Sequence, residues 1–125
     1  EDWDLVIRLA QVTRFALVDE AMVRVIDHPG SVTHNVPAGL AARRQMLEKH
    51  RALIEAAPRA HAAHRRAIGH LACLAGDTRA GRKELLAAAR LRPADPKVLV
   101  GLLLSVLGPA GYRRALGLLG WDTSK

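Results

Sequence analysis

Proline and glycine residues divide residues 36–125 into a series of short segments that are rich in alanine and leucine. The dividing residues are Pro37, Pro58, Gly76, Pro93, Pro96, Gly108 and Pro109. The residue before a proline is disfavoured in the α region and glycine favours turns, so each position is expected to begin or end a helix. Alanine and leucine lose little side-chain freedom in a helix. The sequence therefore predicts helices over residues 38–57, 60–74, 79–91, 97–107 and 112–119.

Basic residues give the chain a formal net charge of +7 at pH 7. Such an excess suits an anionic partner, such as a nucleotide diphosphate or a lipid headgroup, and it is also typical of a solvated helical surface. The composition includes two tryptophans, one tyrosine and one phenylalanine among 125 residues. Single-stranded nucleic acids are bound largely by stacking on aromatic side chains, and the sequence has no nucleic-acid-recognition motif, so no nucleic acid partner is expected.

The single cysteine and the lengths of the apolar runs indicate the cellular compartment of the protein. Cys73 cannot form an intramolecular disulfide, and it lies in an apolar run, so a buried and inert thiol is expected. The longest apolar stretch, residues 98–107, is about half of the roughly 20 residues needed to span a bilayer. The sequence therefore predicts a cytoplasmic protein, with peripheral contact to a membrane left open.

The first 35 residues differ in character from the rest. The run Asp2-Trp3-Asp4 precedes apolar residues at helical spacing, which predicts an N-capped helix. Residues 15–18 and 22–26 are rich in β-favouring side chains and predict two short strands. The fold class is therefore mainly α: a short helix and two short strands in residues 1–35, followed by a bundle of antiparallel helices in residues 36–125.

Five sequence pieces in residues 1–35 resemble, in their order and spacing, the end of the catalytic domain of family 2 inverting glycosyltransferases. They are Glu1-Asp2-Trp3-Asp4-Leu5, Arg8-Leu9-Ala10, residues 15–18, Met22-Val23-Arg24 and His28-Pro29-Gly30-Ser31. The resemblance implies the A-type nucleotide-diphospho-sugar transferase fold and transfer of a sugar to a hydroxyl acceptor with inversion. It also implies that the nucleotide-binding half precedes Glu1, so this segment alone is expected to be inactive.

In that family the aspartate of the Glu-Asp pair is the catalytic base, which the resemblance places at Asp2. A carboxylate at a helix N-terminus is held ionised by the helix dipole, so it can take the proton of the acceptor hydroxyl. Without the resemblance, Asp2 or Asp4 would be interpreted as a helix cap. The run Asp2-Trp3-Asp4 also spells Asp-x-Asp, but that metal motif follows a strand, whereas this run opens a helix.

The resemblance also implies substrate-binding roles for Glu1, Trp3, Arg24 and His28. His28 stands where related enzymes often have a histidine near the donor diphosphate or its metal, so it is a candidate ligand of Mn²⁺ or Mg²⁺. The divalent metal is expected in the complete enzyme and not on this segment alone. Where many family members have Tyr-Arg after Arg24, this chain has Val25-Ile26, which leaves the phosphate contact open.

Residues 62–93 resemble a tetratricopeptide repeat, counted back from Pro93. Gly69 and Gly81 fall on its small positions and Gly76-Asp77 on its turn. We expect an antiparallel hairpin whose seam is formed by Ile68, Gly69, Leu71, Ala72, Leu85, Ala88 and Ala89. The arginines expected to remain solvated are Arg65, Arg66, Arg82 and Arg90.

Three histidines of the same segment, His61, His64 and His70, have spacings that could place two of them on one helix face. No His-Glu-x-x-His pattern is present among them, so surface histidines are predicted instead of a metal site. Two hypotheses remain open. The chain is the C-terminal part of a glycosyltransferase, or it is a non-catalytic helical module for self-association or for binding another protein.

Overall fold

The computed structural model describes residues 2–24 and 35–118, and within these ranges the regular secondary structure is entirely α-helical. The helices are α1 (Asp2–Ala10), α2 (Val36–Lys49), α3 (Arg51–Glu55), α4 (Pro58–Leu74), α5 (Thr78–Leu91), α6 (Pro96–Ser105) and α7 (Gly108–Leu118). The mainly helical class predicted from the sequence is therefore confirmed for the described residues.

Polar caps and prolines set where the helices begin. The side chains of Asn35, Asp77 and Asp95 each accept a hydrogen bond from a backbone N–H in the first turn of α2, α5 and α6, at 3.0, 2.8 and 2.9 Å. Proline occupies one of the first two positions of α2, α4 and α6, where its missing N–H would have had no intrahelical partner. These local signals explain why the starts of the helices follow the sequence prediction closely.

Gly76 ends α4 in a left-handed conformation, with φ of 104°. The N–H of Asp77 then donates to the carbonyl of Ala72 at 3.0 Å, and the N–H of Gly76 donates to Cys73 at 3.2 Å. This is the Schellman arrangement, in which glycine avoids the steric penalty of a β-carbon. The turn reverses the chain, so that α5 returns antiparallel to α4.

The α4–α5 hairpin has the seam that the sequence predicts. Its buried members are Ile68, Gly69, Ala72, Leu85 and Ala88, while Leu71 and Ala89 are half-buried. A β-carbon added at Gly69 would lie 2.7 Å from Cγ of Leu85, so the two helices approach too closely for any larger residue there. The assignment of this hairpin to the tetratricopeptide repeats stays a prediction.

Helix α4 lies at the centre of the bundle, because α2, α3, α5, α6 and α7 all contact it. The core cluster joins Cys73 and Leu85 to Tyr112 and Leu116 of α7. Helix α6 packs against α4 at Gly101, where an added β-carbon would lie 2.7 Å from Cε1 of His70. Helices α4 to α7 thus share one core, built around the predicted hairpin.

The two predicted strands are not seen among the described residues. Residues 15–18 and 22–24 have no regular secondary structure, and residues 25–26 and the predicted turn at 28–31 lie outside the described residues. A strand needs a neighbour to accept its backbone hydrogen bonds, and the described ranges contain no other strand. The apolar side chains consequently stay in solvent, with Leu17 91% exposed.

The predicted helix over residues 38–57 is divided in two. His50 leaves the α region, with φ of −111° and ψ of 27°, and separates α2 from α3. Its Nε2 lies 2.6 Å from Oδ1 of Asp4. The interruption coincides with a contact between residues far apart in sequence, and no local pattern near residue 50 predicts it.

Two arginines that were expected in solvent are half-buried. Nη1 of Arg65 lies 2.8 Å from Oε2 of Glu84, which joins α4 to α5, and Nε of Arg65 donates to His61 at 3.1 Å. Nε of Arg66 is buried without a hydrogen-bond partner among the described residues. The prediction was wrong for these two because Arg65 pairs with Glu84 across the hairpin and part of the Arg66 guanidinium is buried. Arg82 and Arg90 are exposed, as expected.

Candidate functional site

An apolar groove of about 420 Å³ lies between α1, α2 and α4. Its walls are formed by Trp3, Ile7, Gly39, Ala42, Arg43, Met46, Ala60, Ala63 and His64. Four of these are glycine or alanine, whose short side chains leave space that larger residues would fill. The sequence therefore builds a groove and not a packed contact where the three helices meet.

Trp3 provides the largest apolar side chain of the groove. It lies in the first turn of α1 and is 66% exposed, while Met46 of α2 is half-buried on the opposite wall. Pockets for small molecules are lined mainly by apolar and aromatic groups, with a few polar groups that orient the ligand. An exposed indole beside an open groove offers an apolar face on which a ligand can stack.

The polar groups of the groove are His64 and Arg43. Nδ1 of His64 is buried and has no hydrogen-bond partner among the described residues. Burial lowers the pKa of His64, and the positive charge of Arg43 lowers it further, so the ring is neutral at pH 7. The groove can therefore take a ligand that has an apolar part together with a hydrogen-bonding or anionic group.

Asp4 holds α1 against the end of α2. Its Oδ2 accepts a hydrogen bond from Nζ of Lys49 at 2.9 Å, and its Oδ1 lies 2.6 Å from Nε2 of His50. Nε of Arg8, one turn along α1, lies 3.4 Å from Oδ2. The hydrogen bonds from Lys49 and then His50 lower the pKa of Asp4 to about 2. The carboxylate is therefore ionised at neutral pH and keeps its cationic partners.

Packing contributes little to the attachment of α1. A second cavity of about 510 Å³ also lies between α1 and α2, and its lining includes Leu5, Arg8, Ala42 and Gln45. The side chains of Leu5, Val6 and Leu9 remain exposed. The polar contacts of Asp4 therefore join α1, and with it Trp3, to the end of α2.

The structure brings together some of the residues predicted from the sequence. Asp2 is the first residue of α1, directly before Trp3 in the groove. Arg24 is exposed and does not line the groove, while Glu1 and His28 lie outside the described residues. The roles predicted for these residues stay predictions.

Sequence reasoning missed Asp4 and His64 as parts of the site. Asp4 was interpreted as a candidate helix cap, but it lies inside α1 and contacts Lys49 and His50, 45 and 46 residues further along the chain. His64 was expected at the surface, but it is half-buried in the wall of the groove. The signal that could have found it is the spacing of His64 from Ala60 and Ala63, which places the three on one side of a helix.

The described residues do not form a metal site. No group of three His, Cys, Asp or Glu side chains within residues 2–24 and 35–118 could hold an ion. Besides His64, helix α4 carries His61 and His70. His61 accepts a hydrogen bond from Arg65, and His70 is hydrogen-bonded to Tyr112. Neither is a surface histidine as predicted, because both are half-buried. The predicted Mn²⁺ or Mg²⁺ ligand, His28, lies outside the described residues.

Beneath the groove, the buried titratable groups are suited to packing. Nδ1 of His70 is hydrogen-bonded to the hydroxyl of Tyr112. Burial lowers the pKa of His70 to about 4 and raises the pKa of Tyr112 above its usual range. Burial also raises the pKa of Cys73 to about 11, so that thiol is protonated and unreactive at neutral pH, as predicted. These groups stabilise the core in their neutral forms.

No protein family, curated protein or solved structure significantly matches this chain. The resemblances to family 2 glycosyltransferases and to tetratricopeptide repeats therefore rest on the short sequence motifs alone. Among the described residues, no helix has the length and apolar character required to cross a membrane. What the chain does must be argued from the groove and from the residues that surround it.

Proposed function

We propose that the chain is the C-terminal part of a family 2 inverting glycosyltransferase, which transfers a sugar from a nucleotide-diphosphate donor to a hydroxyl acceptor. The observation that carries the proposal is the position of Asp2 at the first residue of α1, next to Trp3 in the apolar groove. In the resembling family, the base stands at this place in the sequence. Here a cavity able to hold part of an acceptor lies one residue away.

Asp2 acts as the general base. As the acceptor oxygen attacks the anomeric carbon, its proton passes to the Asp2 carboxylate, and the bond from that carbon to the diphosphate oxygen breaks on the opposite face. Attack from the face opposite the leaving group inverts the configuration. The N-terminus of α1 favours the ionised carboxylate, so the base is available at neutral pH.

The apolar side chains that residues 12–23 expose to solvent support the proposal that another part of the complete enzyme covers this segment. Val12, Leu17 and Val23 are each more than four-fifths exposed, at 81, 91 and 82%. A cluster of exposed apolar residues of this size is typical of an interface. In the complete catalytic domain, neighbouring strands would cover these residues and give residues 15–18 and 22–26 the hydrogen-bonding partners that strands need.

The groove is the acceptor side of the proposed site. Trp3 would stack against the acceptor, while Arg43 and His64 would contact its polar groups. The donor and its divalent metal belong to the nucleotide-binding half, with Arg24 and His28 as candidate contacts to the diphosphate. A divalent ion supplies neutralisation of the leaving diphosphate.

The test is Asp2→Asn in the enzyme that contains both the nucleotide-binding half and this chain. Turnover should fall by about 10²–10⁴-fold, while the affinity for the donor stays near wild type. Glu20→Gln is the matched control, because Glu20 is an exposed carboxylate of the same segment and forms no ion pair within the described ranges. If Asp2→Asn kept more than about a tenth of the wild-type kcat, another residue would be the base.

A second candidate function is a non-catalytic helical module that self-associates or binds a protein. It is favoured by the core of α4 to α7, which contains no residue from the described part of the first 24. The two candidates differ in what truncation does. Removing residues 36–125 from the complete enzyme should abolish acceptor use if the groove belongs to the active site. If the segment is only a module for association, it should change the oligomeric state and leave turnover intact. In either case we propose a cytoplasmic location.

A further inference from the structure

The outer face of α5 is a stripe of cations. Arg79, Arg82, Lys83 and Arg90 are all exposed, and Leu86 lies among them. Their spacing of three, four, seven and eleven residues from Arg79 places them on one side of a helix. The buried residues of α5 (Gly81, Leu85 and Ala88) occupy the opposite side. We call these five exposed residues the α5 basic stripe.

No carboxylate among the described residues neutralises this stripe. The ion pair that α5 makes with α4 joins Glu84 to Arg65, away from the stripe. Asp77 is occupied as the N-cap of α5, where it accepts from Ala80 at 2.8 Å. Four adjacent positive charges without counter-charges create a local field that attracts an anionic surface.

Apolar side chains continue the stripe at one end. Nη2 of Arg82 donates to the carbonyl of Ser105 at 3.3 Å, which places the stripe beside the end of α6. The next two residues, Val106 and Leu107, are 70 and 60% exposed. Leu86, within the stripe, is also close to half exposed, at 48%. Cations and aliphatic side chains are therefore interleaved on one open surface.

We propose that the α5 basic stripe, together with Val106 and Leu107, docks on the surface of an anionic phospholipid bilayer. Each basic side chain near an anionic leaflet strengthens binding by roughly fivefold, and exposed aliphatic groups can enter the boundary between headgroups and acyl chains. A nucleic acid fits less well, since the stripe has no aromatic residue on which bases could stack. An acidic protein would need an apolar patch beside its carboxylates to match the same surface.

This surface is separate from the groove. None of the residues that line the groove belongs to the stripe. Docking through α5 would hold the protein at the membrane without occupying the groove, so its test does not depend on the proposed catalysis.

Co-sedimentation with vesicles tests the proposal on the whole chain. The protein should pellet with vesicles made of equal parts phosphatidylcholine and phosphatidylserine, and should stay in solution with phosphatidylcholine alone. Added salt should weaken the association, because exposed charges are screened. Equal association with both kinds of vesicle, or with neither, would overturn the proposal.

Charge reversal locates the surface. Arg79→Glu combined with Lys83→Glu should weaken binding to the anionic vesicles by at least about twentyfold. The matched control reverses two exposed arginines elsewhere, Arg44→Glu with Arg59→Glu, for the same change in net charge. A similar loss in both double variants would mean that net charge, and not the stripe, drives binding, and the proposal would fail.

Two further measurements separate membrane docking from unfolding of the variants and from binding to a polyanion. Thermal melts check that the variants fold, and the milder pair Arg79→Gln with Lys83→Gln should show a smaller loss in the same direction. Polyglutamate and duplex DNA are added as competitors at matched charge concentration. Each polymer is tested for its ability to release the protein from phosphatidylserine vesicles, and the vesicles are tested for their ability to release it from the polymer. If a polymer were the more effective competitor, the stripe would serve an acidic protein or a nucleic acid instead.

Discussion

Gly69 of α4 and Gly81 of α5 meet backbone to backbone at the centre of the bundle. A β-carbon added at Gly81 would lie 2.7 Å from the carbonyl oxygen of Gly69, and one added at Gly69 would lie 3.0 Å from the carbonyl oxygen of Gly81. Backbone atoms cannot move aside as the end of a flexible side chain can. The close approach of α4 and α5, and the burial of Leu85 beside it, therefore depend on both glycines.

Gly69→Ala should destabilise the protein by about 1–3 kcal/mol, because the added methyl group would force the hairpin apart. An alanine in the middle of a helix would otherwise be favourable by about 1 kcal/mol. Chemical denaturation gives the free energy of unfolding. Gly39→Ala in α2 is the control, since its added β-carbon would make only an ordinary contact, 3.9 Å from Leu71.

The sign of the difference decides the interpretation. Gly39→Ala should leave stability unchanged or raise it by up to about 1 kcal/mol. If Gly69→Ala were as stable as Gly39→Ala, the backbones of α4 and α5 would not be in contact. The residues assigned to the seam would then be wrong.

Asp4 should make the attachment of α1 depend on pH. Its pKa is about 2 in the folded chain against 3.8 for the free side chain, so its contacts are present above about pH 4 and are lost as the pH falls towards 2. Amide hydrogen exchange should show α1 losing protection in this interval before α5 does. Asp4→Asn should produce the same loss at neutral pH, with Lys49 and His50 left without their carboxylate partner.

Glu20→Gln is again the control, because Glu20 has no ion pair to lose among the described residues. Protection of α1 that was unchanged in Asp4→Asn would show that apolar contacts of Trp3 and Ile7 hold this helix without help from the carboxylate.

The part of the fold that the sequence predicts well is the part with local causes. Pro58, Asp77 and Pro96 set helix starts through the chemistry of the first turn, and Gly76 ends α4 because a left-handed residue is needed there. The antiparallel hairpin follows from the short turn between two apolar faces. These features need no knowledge of residues far away in the chain.

The features that the sequence does not predict depend on distant partners. Residues 15–18 have β-favouring side chains, but a strand exists only where another strand pairs with it. Asp4 contacts Lys49 and His50 more than 40 residues away, and the helix predicted over residues 38–57 is interrupted at His50. The groove itself could not be predicted, because it consists of the space left by short side chains on three helices.

His70 should make global stability fall in mildly acidic solution. Burial, and next the charge of Arg66, lower its pKa from 6.5 to about 4. The unfolded chain therefore takes up a proton between about pH 6.5 and pH 4 while the folded chain does not, so stability is lost as the pH falls through this window. The loss attributable to His70 should be roughly 3 kcal/mol at most. Urea denaturation at both ends of the window measures it.

His70→Gln removes the titration and keeps a side chain able to hydrogen-bond the Tyr112 hydroxyl. This variant should be less stable than wild type near neutral pH, and its stability should change less across the window. His64 has a pKa lowered in the same direction, so some pH dependence should remain. A loss as large as that of wild type would place the responsible group elsewhere.

The groove should control the use of the acceptor in the complete enzyme. Ala63 lies on the groove wall contributed by α4, and Ala63→Phe would fill the space opposite Trp3. Because the acceptor would lose contacts made equally in the ground state and in the transition state, its KM should rise by about tenfold or more, while the donor KM and the kcat at saturating acceptor change little. Ala52→Phe is the matched control, since Ala52 is exposed on α3 and does not line the groove. Steady-state kinetics with each substrate varied in turn would show the difference. If neither substitution changed the acceptor KM, α2 and α4 would not be part of the acceptor site. Asp2 would then act without a contribution from the helical segment.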